Sequence, residues 1–597
     1  MTEKINKTRI GGQAVIEGVM MRGISSAATA VRGADGKILV AGEYVTTSPA
    51  AKKIKKIPIV RGVYNFVMSM KYGIGTLNKS AENFGTDSGE PTKFEAWLAK
   101  VFKKDISDIV TVFALIFGLA FAVGLFIILP QFIMQLFKFQ LQGFLDNFVK
   151  NLMAGAIRIV IFLLYLLLIS RMNDIKRVFA YHGAEHKVIN CFEYALPLTV
   201  ENAAKMTVRH ERCGTTFIFI VMFVSVLFFS FFKFETNVFL RIASRIALLP
   251  VVAGISYEVL IFSAKHDNIF FRILRAPGMW LQKLTTREPD DSMLEVSLAA
   301  FKTVLAMDAS ADKSFPPSNF TNTVYPYAYA RDIISERMKD YPSDETDWIM
   351  CTALKCGRAS LPVTVYVRLN EFEEMKKFAE KRSTGMPLQQ VFGYTEFYGY
   401  KIAVDGVLIP RPETELLVGE AKKYIETLPA GEKIKVLDLC TGSGAIAVAL
   451  GCLCGGRLDI TASDISPDAL ATARKNAENN GAEISFVMSD MFENLSGTFD
   501  IIVSNPPYIK TADIANLDTE VKDFEPLAAL DGGADGLDFY RKIRAVASEY
   551  LTDGGKIFLE AGAGQSRDIE SLFDGYQTVF VKDYGGIERI AVISAIK

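Results

Sequence analysis

The sequence predicts a multidomain protein. An N-terminal α-helical membrane bundle of about four transmembrane helices leads into a small α-helical domain and then an α/β domain with a doubly wound, seven-stranded sheet. Three observations carry this. Four apolar runs crowd between about residues 106 and 264, each near the ~20 residues a helix needs to cross a bilayer. A stretch rich in Ser, Asn, Asp and Pro follows at 309–324, with Pro316-Pro317 in the middle, which is the composition of a linker. Beyond Gly385 short apolar runs alternate with helical patterns, as in a mostly parallel sheet covered by helices.

The elements follow in chain order. Residues 1–105 are polar and basic, with Lys52-Lys53-Ile54-Lys55-Lys56 as a local cluster. The first apolar span starts too far into the chain to be a cleavable signal peptide. The expected spans are roughly 107–129, 152–170, 215–232 and 242–264, the first running on past Pro130 to Phe137. The last carries Arg241 and Arg245 near its start and Glu258 inside it. Segment 171–214 holds Arg171, Lys176, Arg177, Lys187, Lys205, Arg209 and Arg212, whereas 131–151 holds only Lys138 and Lys150. By the positive-inside rule the N-terminus, 171–214 and everything after 265 face the cytosol, in a multi-pass protein of the cell membrane. The expected boundaries are 1–308 for the membrane domain, 309–324 for the linker, 325–385 for the helical domain and 386–597 for the α/β domain. Within the helical domain, Ala328, Ile333, Ile334, Met338, Trp348, Ile349 and Leu354 are the expected core.

Composition narrows the function. The chain has 597 residues, half of them hydrophobic, and a formal net charge of −1, so nothing global marks a nucleic-acid binder. Its seven cysteines (191, 213, 351, 356, 440, 452, 454) make no paired Cys-x-x-Cys framework and read as reduced thiols. The four histidines (182, 186, 210, 266) all precede the linker, so the α/β domain must work without histidine.

That domain carries a cofactor pattern. Ile434 to Leu439 reads as a strand, Cys440-Thr441-Gly442-Ser443-Gly444 as a glycine turn, and Ala445 to Leu453 as a helix, which brings a helix N-terminus and bare backbone to a ligand. The spacing Asp438-x-x-x-Gly442-x-Gly444 differs from the dinucleotide fingerprint and resembles the first S-adenosylmethionine motif of class I methyltransferases. The second strand, Leu458 to Ser463, ends in Asp464, about 20 positions on, where a carboxylate suits ribose hydroxyls. The third, Ile484 to Met488, ends in Asp490-Met491-Phe492. Asp490 is placed to accept from an adenine amino group or, as the plain alternative, to cap a helix, and Met491 and Phe492 to pack on the base. The fourth, Phe499 to Ser504, delivers Asn505-Pro506-Pro507-Tyr508 at the carboxyl edge of the sheet. A fifth strand, Lys556 to Leu559, and a pair near 577–582 and 589–595 complete the seven. Asn505-Pro-Pro-Tyr resembles the signature of methyltransferases acting on a planar nitrogen. Thr441, Gly442, Ser443, Gly444, Asp464, Asp490, Met491 and Asn505 are the expected cofactor contacts.

Several linked blocks make the resemblance more specific. They are Pro387 to Gly393, Phe397-Tyr398-Gly399, Leu408-Ile409-Pro410-Arg411-Pro412-Glu413-Thr414-Glu415, the motifs above, and Phe524-Glu525-Pro526. Together, over about residues 325–597, they resemble the protein-(glutamine-N5) methyltransferases of peptide chain release factors, the PrmC/HemK family. One departure is Cys440, where that family usually has glycine. The resemblance implies S-adenosylmethionine as cofactor, the Gly-Gly-Gln loop of a release factor as substrate, and the helical domain as the grip on that partner. Asn505 and Pro506 then become the catalytic pair, their oxygens each accepting one amide N–H, with Pro507 and Tyr508 completing the substrate site. No direct nucleic-acid readout is expected.

The membrane half has its own constellation. His182-Gly183-Ala184-Glu185-His186 sets two imidazoles at i and i+4 on one helical face with a carboxylate beside them, the inverse zincin spacing. His210 and Cys213, at the other end of the same segment, are the candidate further ligands, His210 being the expected third, and a divalent ion such as Zn²⁺ is the expected metal. Segment 1–308 resembles the YqhQ-like family of metal-dependent bacterial membrane proteins through Gly11 to Gly23, His182 to Lys187 and Pro277 to Gln282. Gly11-Gly12-Gln13 also repeats the tripeptide the C-terminal domain is expected to methylate. Competing readings are a DNA or other amino methyltransferase, and a membrane metalloenzyme or transporter whose C-terminal domain senses a cofactor.

Overall fold

The computed structural model describes residues 8–595, apart from 47, 84–105, 138–142, 212, 233–236, 266–268, 311 and 430. His266, Arg212 and Lys138 fall outside the described residues. The contacts divide the chain into two units, one running to Ile333 with Pro362–Phe372 added, the other comprising Ile334–Leu361 and Glu373 onward.

The first unit is not wholly helical, contrary to expectation. It begins with an antiparallel meander of β1 (Gly11–Val15), β2 (Gly18–Arg22), β3 (Ser26–Arg32) and β4 (Ile38–Tyr44). Its strands escaped notice because β3 reads Ser-Ala-Ala-Thr-Ala-Val, and alanine has little strand preference. Tertiary cover decides instead. Helix Asp291–Ala309 packs on β2 and β3, with Val296, Ala300, Phe301 and Val304 fully buried. Asp308, in the last turn of that helix, pins the β2–β3 hairpin. Its carboxylate accepts from the Ile24 N–H at 2.7 Å, the Ser25 N–H at 3.0 Å and the Ser26 hydroxyl at 2.8 Å.

The expected linker is packed chain. Phe315 and Phe320 are buried, and Ser318 exchanges backbone hydrogen bonds with Gly42 of β4 at 2.9 and 3.0 Å. The expected helical domain is divided. Strands β5 (Val324–Pro326) and β6 (Tyr366–Arg368) pair with each other, and an aromatic cluster of Tyr325, Tyr329 and Phe372 holds their surroundings in the first unit. Of the expected core positions Ile334, Met338 and Ile349 are buried, whereas Ala328 and Trp348 face outward and Tyr329 and Ala330 take the interior instead.

Among the described residues three helices are long and apolar enough to cross a membrane: Ile116–Gln135, Gly143–Ile169 and Ile242–Ser263. The expected span at 215–232 is the helix Gly214–Ser230, apolar but only 17 residues long. The first span continues past Pro130 because a π-helical turn at Gly124–Ile128 absorbs the proline that follows. Two charged groups inside these helices have partners. Glu258 accepts from Arg61 in a two-pronged pair and from the Ile59 N–H, and buried Arg245 donates to Asn151 Oδ1 at 2.9 Å.

In the second unit a short hairpin, β7 (Tyr394–Phe397) and β8 (Tyr400–Ala403), precedes the main sheet. That sheet has seven strands: β9 (Ile434–Leu439), β10 (Leu458–Asp464), β11 (Ser485–Met488), β12 (Phe499–Ser504), β13 (Leu551–Glu560), β14 (Tyr576–Lys582) and β15 (Glu588–Ala595). Their order is β11-β10-β9-β12-β13-β15-β14, parallel except where β15 runs against β13 and β14. Side chains alternate between two covered faces: Val436, Ile501 and Val503 enter one core, Leu437, Leu439 and Ile502 the other.

Candidate active site and candidate metal centre

Strand register brings the C-terminal motifs to one edge. Leu439 of β9 pairs with Ser463 of β10 and with Ser504 of β12, and Ser504 pairs with Leu559 of β13. The glycine turn, Asp464, Asn505 and Glu560 therefore leave the sheet side by side, at the carboxyl ends of its parallel strands. A cavity of about 680 Å³ opens there. Thr441, Gly442, Ser443, Asp464, Asp490, Met491, Asn505 and Pro507 line it, whereas Gly444, Pro506 and Tyr508 do not.

The glycine turn is held from below. Buried Asp438 accepts from the Thr441 hydroxyl at 2.6 Å and the Ala447 N–H at 3.1 Å. Burial pushes its carboxyl up to about 7. Gly442 lies in the left-handed region at φ +54, and a Cβ there would meet nothing within 4 Å, so the turn presents open backbone to the cavity. Gly444 serves packing instead, since a Cβ would come within 2.9 Å of Ala473 Cβ. Cys440 also sits in the left-handed region, at φ +59. The acids are already engaged. Asp464 accepts from the N–H groups of Gly442 and Ser466, both at 2.9 Å, and Asp490 faces Lys542 at 3.5 Å. No helix-capping bond involves the Asp490 side chain among the described residues. Phe492 turns into the core against Tyr550, with ring centres 4.8 Å apart.

Asn505 is oriented by residues the motif reading overlooked. Its amide Nδ2 donates to Thr414 Oγ1 at 3.3 Å, and Thr414 donates to Glu560 Oε2 at 2.6 Å. Tyr508 donates to the other oxygen of Glu560 at 3.3 Å, and burial raises both Glu560 and Tyr508 above their ordinary ranges. Asn505 Oδ1 has no hydrogen bond among the described residues. Tyr508 thus stands behind the rim as a support. Other blocks are joints. Arg411 grips Glu525 at 2.8 and 2.9 Å, Gln390 donates to the Phe524 carbonyl at 2.8 Å, and Glu415 accepts the Tyr398 N–H at 2.6 Å. Chain spacing alone gave no sign of Glu560 or Lys542. Thr414 was visible within the Glu-Thr-Glu run.

In the first unit, helix Asn173–Glu193 carries His182, Glu185 and His186 to the wall of a second cavity, of about 960 Å³. His182 Nε2 lies 3.1 Å from Cys213 Sγ, and His182, His186 and Cys213 form a group whose ligand atoms all lie within 4.8 Å of one another. Of the two candidate further ligands, Cys213 is in that group and His210 lies outside it. Its Nε2 turns to buried Glu193, 3.2 Å away. Desolvation lowers the basicity of His186 and raises that of Glu185. Gln13 sits inside β1, paired with Met20, and its side-chain amide fills the space over Gly73.

The glycine turn, the acid at the end of β10 and the Asn-Pro-Pro rim, closing one cavity at the edge of such a sheet, define the second unit as a methyltransferase. Residues 420–520 match the methyltransferase small domain, and residues 57–307 match a protein family of unknown function, DUF1385. The uncharacterized protein YqhQ of Bacillus subtilis is 36% identical over 311 residues, 52% of this chain and 96% of that protein. A release factor glutamine methyltransferase of Geobacter sulfurreducens is 39% identical over 269 residues, 44% of this chain and 93% of that protein, and one of Thermodesulfovibrio yellowstonii is 40% identical over 260 residues, 42% and 92%. The chain belongs to the YqhQ family through its N-terminal region and to the release factor glutamine methyltransferase family through its C-terminal region.

Proposed function

We propose that this protein transfers the methyl group of S-adenosylmethionine to the side-chain nitrogen of the glutamine in the Gly-Gly-Gln motif of peptide chain release factors, from the cytoplasmic face of a membrane. The observation that carries the reading is the Glu560–Thr414–Asn505 chain of hydrogen bonds at the rim of the 680 Å³ cavity. A carboxamide nitrogen is a poor nucleophile, because its lone pair is delocalised into the carbonyl, so the protein's work is orientation and exclusion of water. Thr414 fixes the Asn505 amide by its nitrogen, which leaves Oδ1 to accept one N–H of the substrate, and the Pro506 carbonyl accepts the other. Both oxygens favour the positive charge that develops on that nitrogen. The open backbone at Gly442 and the carboxylates of Asp464 and Asp490 suit a nucleoside-bearing cofactor, with Thr441, Ser443 and Met491 around it. S-adenosylmethionine supplies an electrophilic methyl, so neither histidine nor metal is required of the second unit. The class I seven-stranded methyltransferase fold belongs to this reading. So does partner recognition by the helices Ser343–Leu354 and Leu369–Ser383.

Three helices long and apolar enough to cross a membrane support a multi-pass anchor, and loop charge supports a cytosolic N-terminus and methyltransferase. The test is incubation of the full chain in detergent with labelled cofactor and a release factor. Label on the Gly-Gly-Gln glutamine is expected, and its rate of incorporation should fall by about two to three orders of magnitude in Asn505→Ala. Label on nucleic acid with none on the release factor would overturn the reading.

A further inference from the structure

The structure assigns His182, His186 and Cys213 as a three-ligand transition-metal site, of the Zn²⁺ class, whose remaining coordination position opens on the cavity of the first unit.

The argument starts with tautomers. His182 Nδ1 lies 2.8 Å from the Thr285 carbonyl oxygen, and His186 Nδ1 lies 2.6 Å from that of Val208. A carbonyl only accepts, so each ring must carry its proton on Nδ1, and both Nε2 atoms present lone pairs. Those lone pairs meet at Cys213. His182 Nε2 is 3.1 Å from Sγ, and His186 Nε2 is buried without a hydrogen bond. An imidazole fixed by a backbone carbonyl on one nitrogen and free on the other is the usual orientation of a ligating histidine.

Local sequence explains how the rings reach those carbonyls. Residues i and i+4 share a helical face, and the rings sit with centres 4.5 Å apart. Gly183 lets this helix press against the chain at Thr285–Arg287, where a Cβ would come within 2.0 Å of the Arg287 carbonyl oxygen. Without that approach Thr285 could not reach His182. Cys213 is buried at the entry to helix Gly214–Ser230.

Energetics favour a cation. His186 is 1% exposed and Glu185 5%, and Glu185 Oε2 also has no hydrogen bond. Two unmatched polar atoms on one cavity wall are costly to bury, and one divalent ion beside them satisfies the ring lone pairs and the Cys213 sulfur together. Two imidazoles and a thiolate select Zn²⁺ over hard, oxygen-seeking ions. Three protein ligands with cavity access leave a position for water, the arrangement of a reactive rather than a purely structural site. A metal held there would supply Lewis-acid chemistry to what enters the cavity, with Glu185 on the same wall.

The test uses the full chain in detergent, stripped with chelator and reloaded with Co²⁺. One Co²⁺ per chain is expected, with the visible spectrum of a four-coordinate ion and a thiolate-to-cobalt charge-transfer band. Cys213→Ser should abolish the band, and Cys213→His should keep the metal without it. His210→Ala and Glu185→Gln should bind Co²⁺ as the parent does. Absence of the band in the folded parent would overturn the assignment with no variant needed. So would its persistence in Cys213→Ser, or loss of metal in His210→Ala or Glu185→Gln.

Discussion

Each unit buries a glutamate beside a cavity, and the two glutamates are treated differently. Glu560 has both oxygens supplied by protein hydroxyls, from Thr414 and Tyr508. Glu185 has an oxygen with no hydrogen bond and shares its wall with a histidine nitrogen in the same condition. The first arrangement is complete in the protein itself and its product is geometry: a fixed carboxamide at a sheet edge. The second is incomplete without a cation. A buried polar group that the protein satisfies serves to position its neighbours, and one left unsatisfied beside a cavity points to what enters that cavity.

The largest expected effect concerns the floor of the methyltransferase cavity. Burial lifts the Asp438 carboxyl from 3.8 to about 7. Between those values the folded state keeps a proton that the unfolded state has lost. Stability of this unit therefore falls as pH rises from about 4 to about 7, by about 4 kcal/mol at most, and is level above. Asp438→Asn keeps an oxygen for Thr441 and Ala447 and should remove that slope in denaturant midpoints measured from pH 4 to 8. An unchanged slope would place the titrating group elsewhere. Next in size, Asn505→Ala should lower kcat for methyl transfer by about 10²–10³-fold, the usual loss for one oriented polar group at a reacting centre. A fall of less than tenfold would mean that the rim does not hold the amide. The same variant should leave Co²⁺ binding in the first unit untouched.

How much of this was legible in the sequence differs between the two units for a physical reason. In the second unit the motifs sit at strand ends, and parallel register carries strand ends to one edge, so Thr441, Gly442, Asp464 and Asn505 could be read off and found together. Glu560 could not, because a lone acid at the end of an apolar strand carries no pattern. In the first unit helical periodicity gave His182 and His186, but the third member depended on how residues 205–214 fold back. His210 and Cys213 are three residues apart and both are candidate ligands by chemistry, so only the fold, which spends His210 on Glu193, separates them. The meander of β1 to β4 was hidden by its alanines, and the apparent linker by its prolines. Composition describes what a segment does alone, and Phe315 and Phe320 are held by what they pack against.

Gly183 sharpens the contrast at intermediate size. Its place inside the His-x-x-Glu-His run looks incidental, yet the Arg287 carbonyl occupies the space of its missing side chain. Gly183→Ala should destabilise the first unit by about 1–3 kcal/mol through overpacking. By separating His182 from Thr285 it should also weaken Co²⁺ binding, with methyl transfer unchanged. Binding equal to the parent would show that the carbonyl does not set the ring.

The smallest effect is expected at Cys440. Cys440 lies in the left-handed region, where a side chain costs about 1–2 kcal/mol relative to glycine. The cost is offset in part, because the thiol packs on Met491, with its sulfur 3.8 Å from Sδ, and against the core at the cavity wall. Cys440→Gly releases the backbone and gives up that contact, so the net gain should stay within about 1 kcal/mol, read as a small rise in the denaturant midpoint. Cofactor affinity should hold within twofold, since the open backbone belongs to Gly442. A marked loss of affinity would mean that the thiol, through Met491, shapes the cavity wall, and the turn would then owe its fit to a side chain rather than to bare backbone.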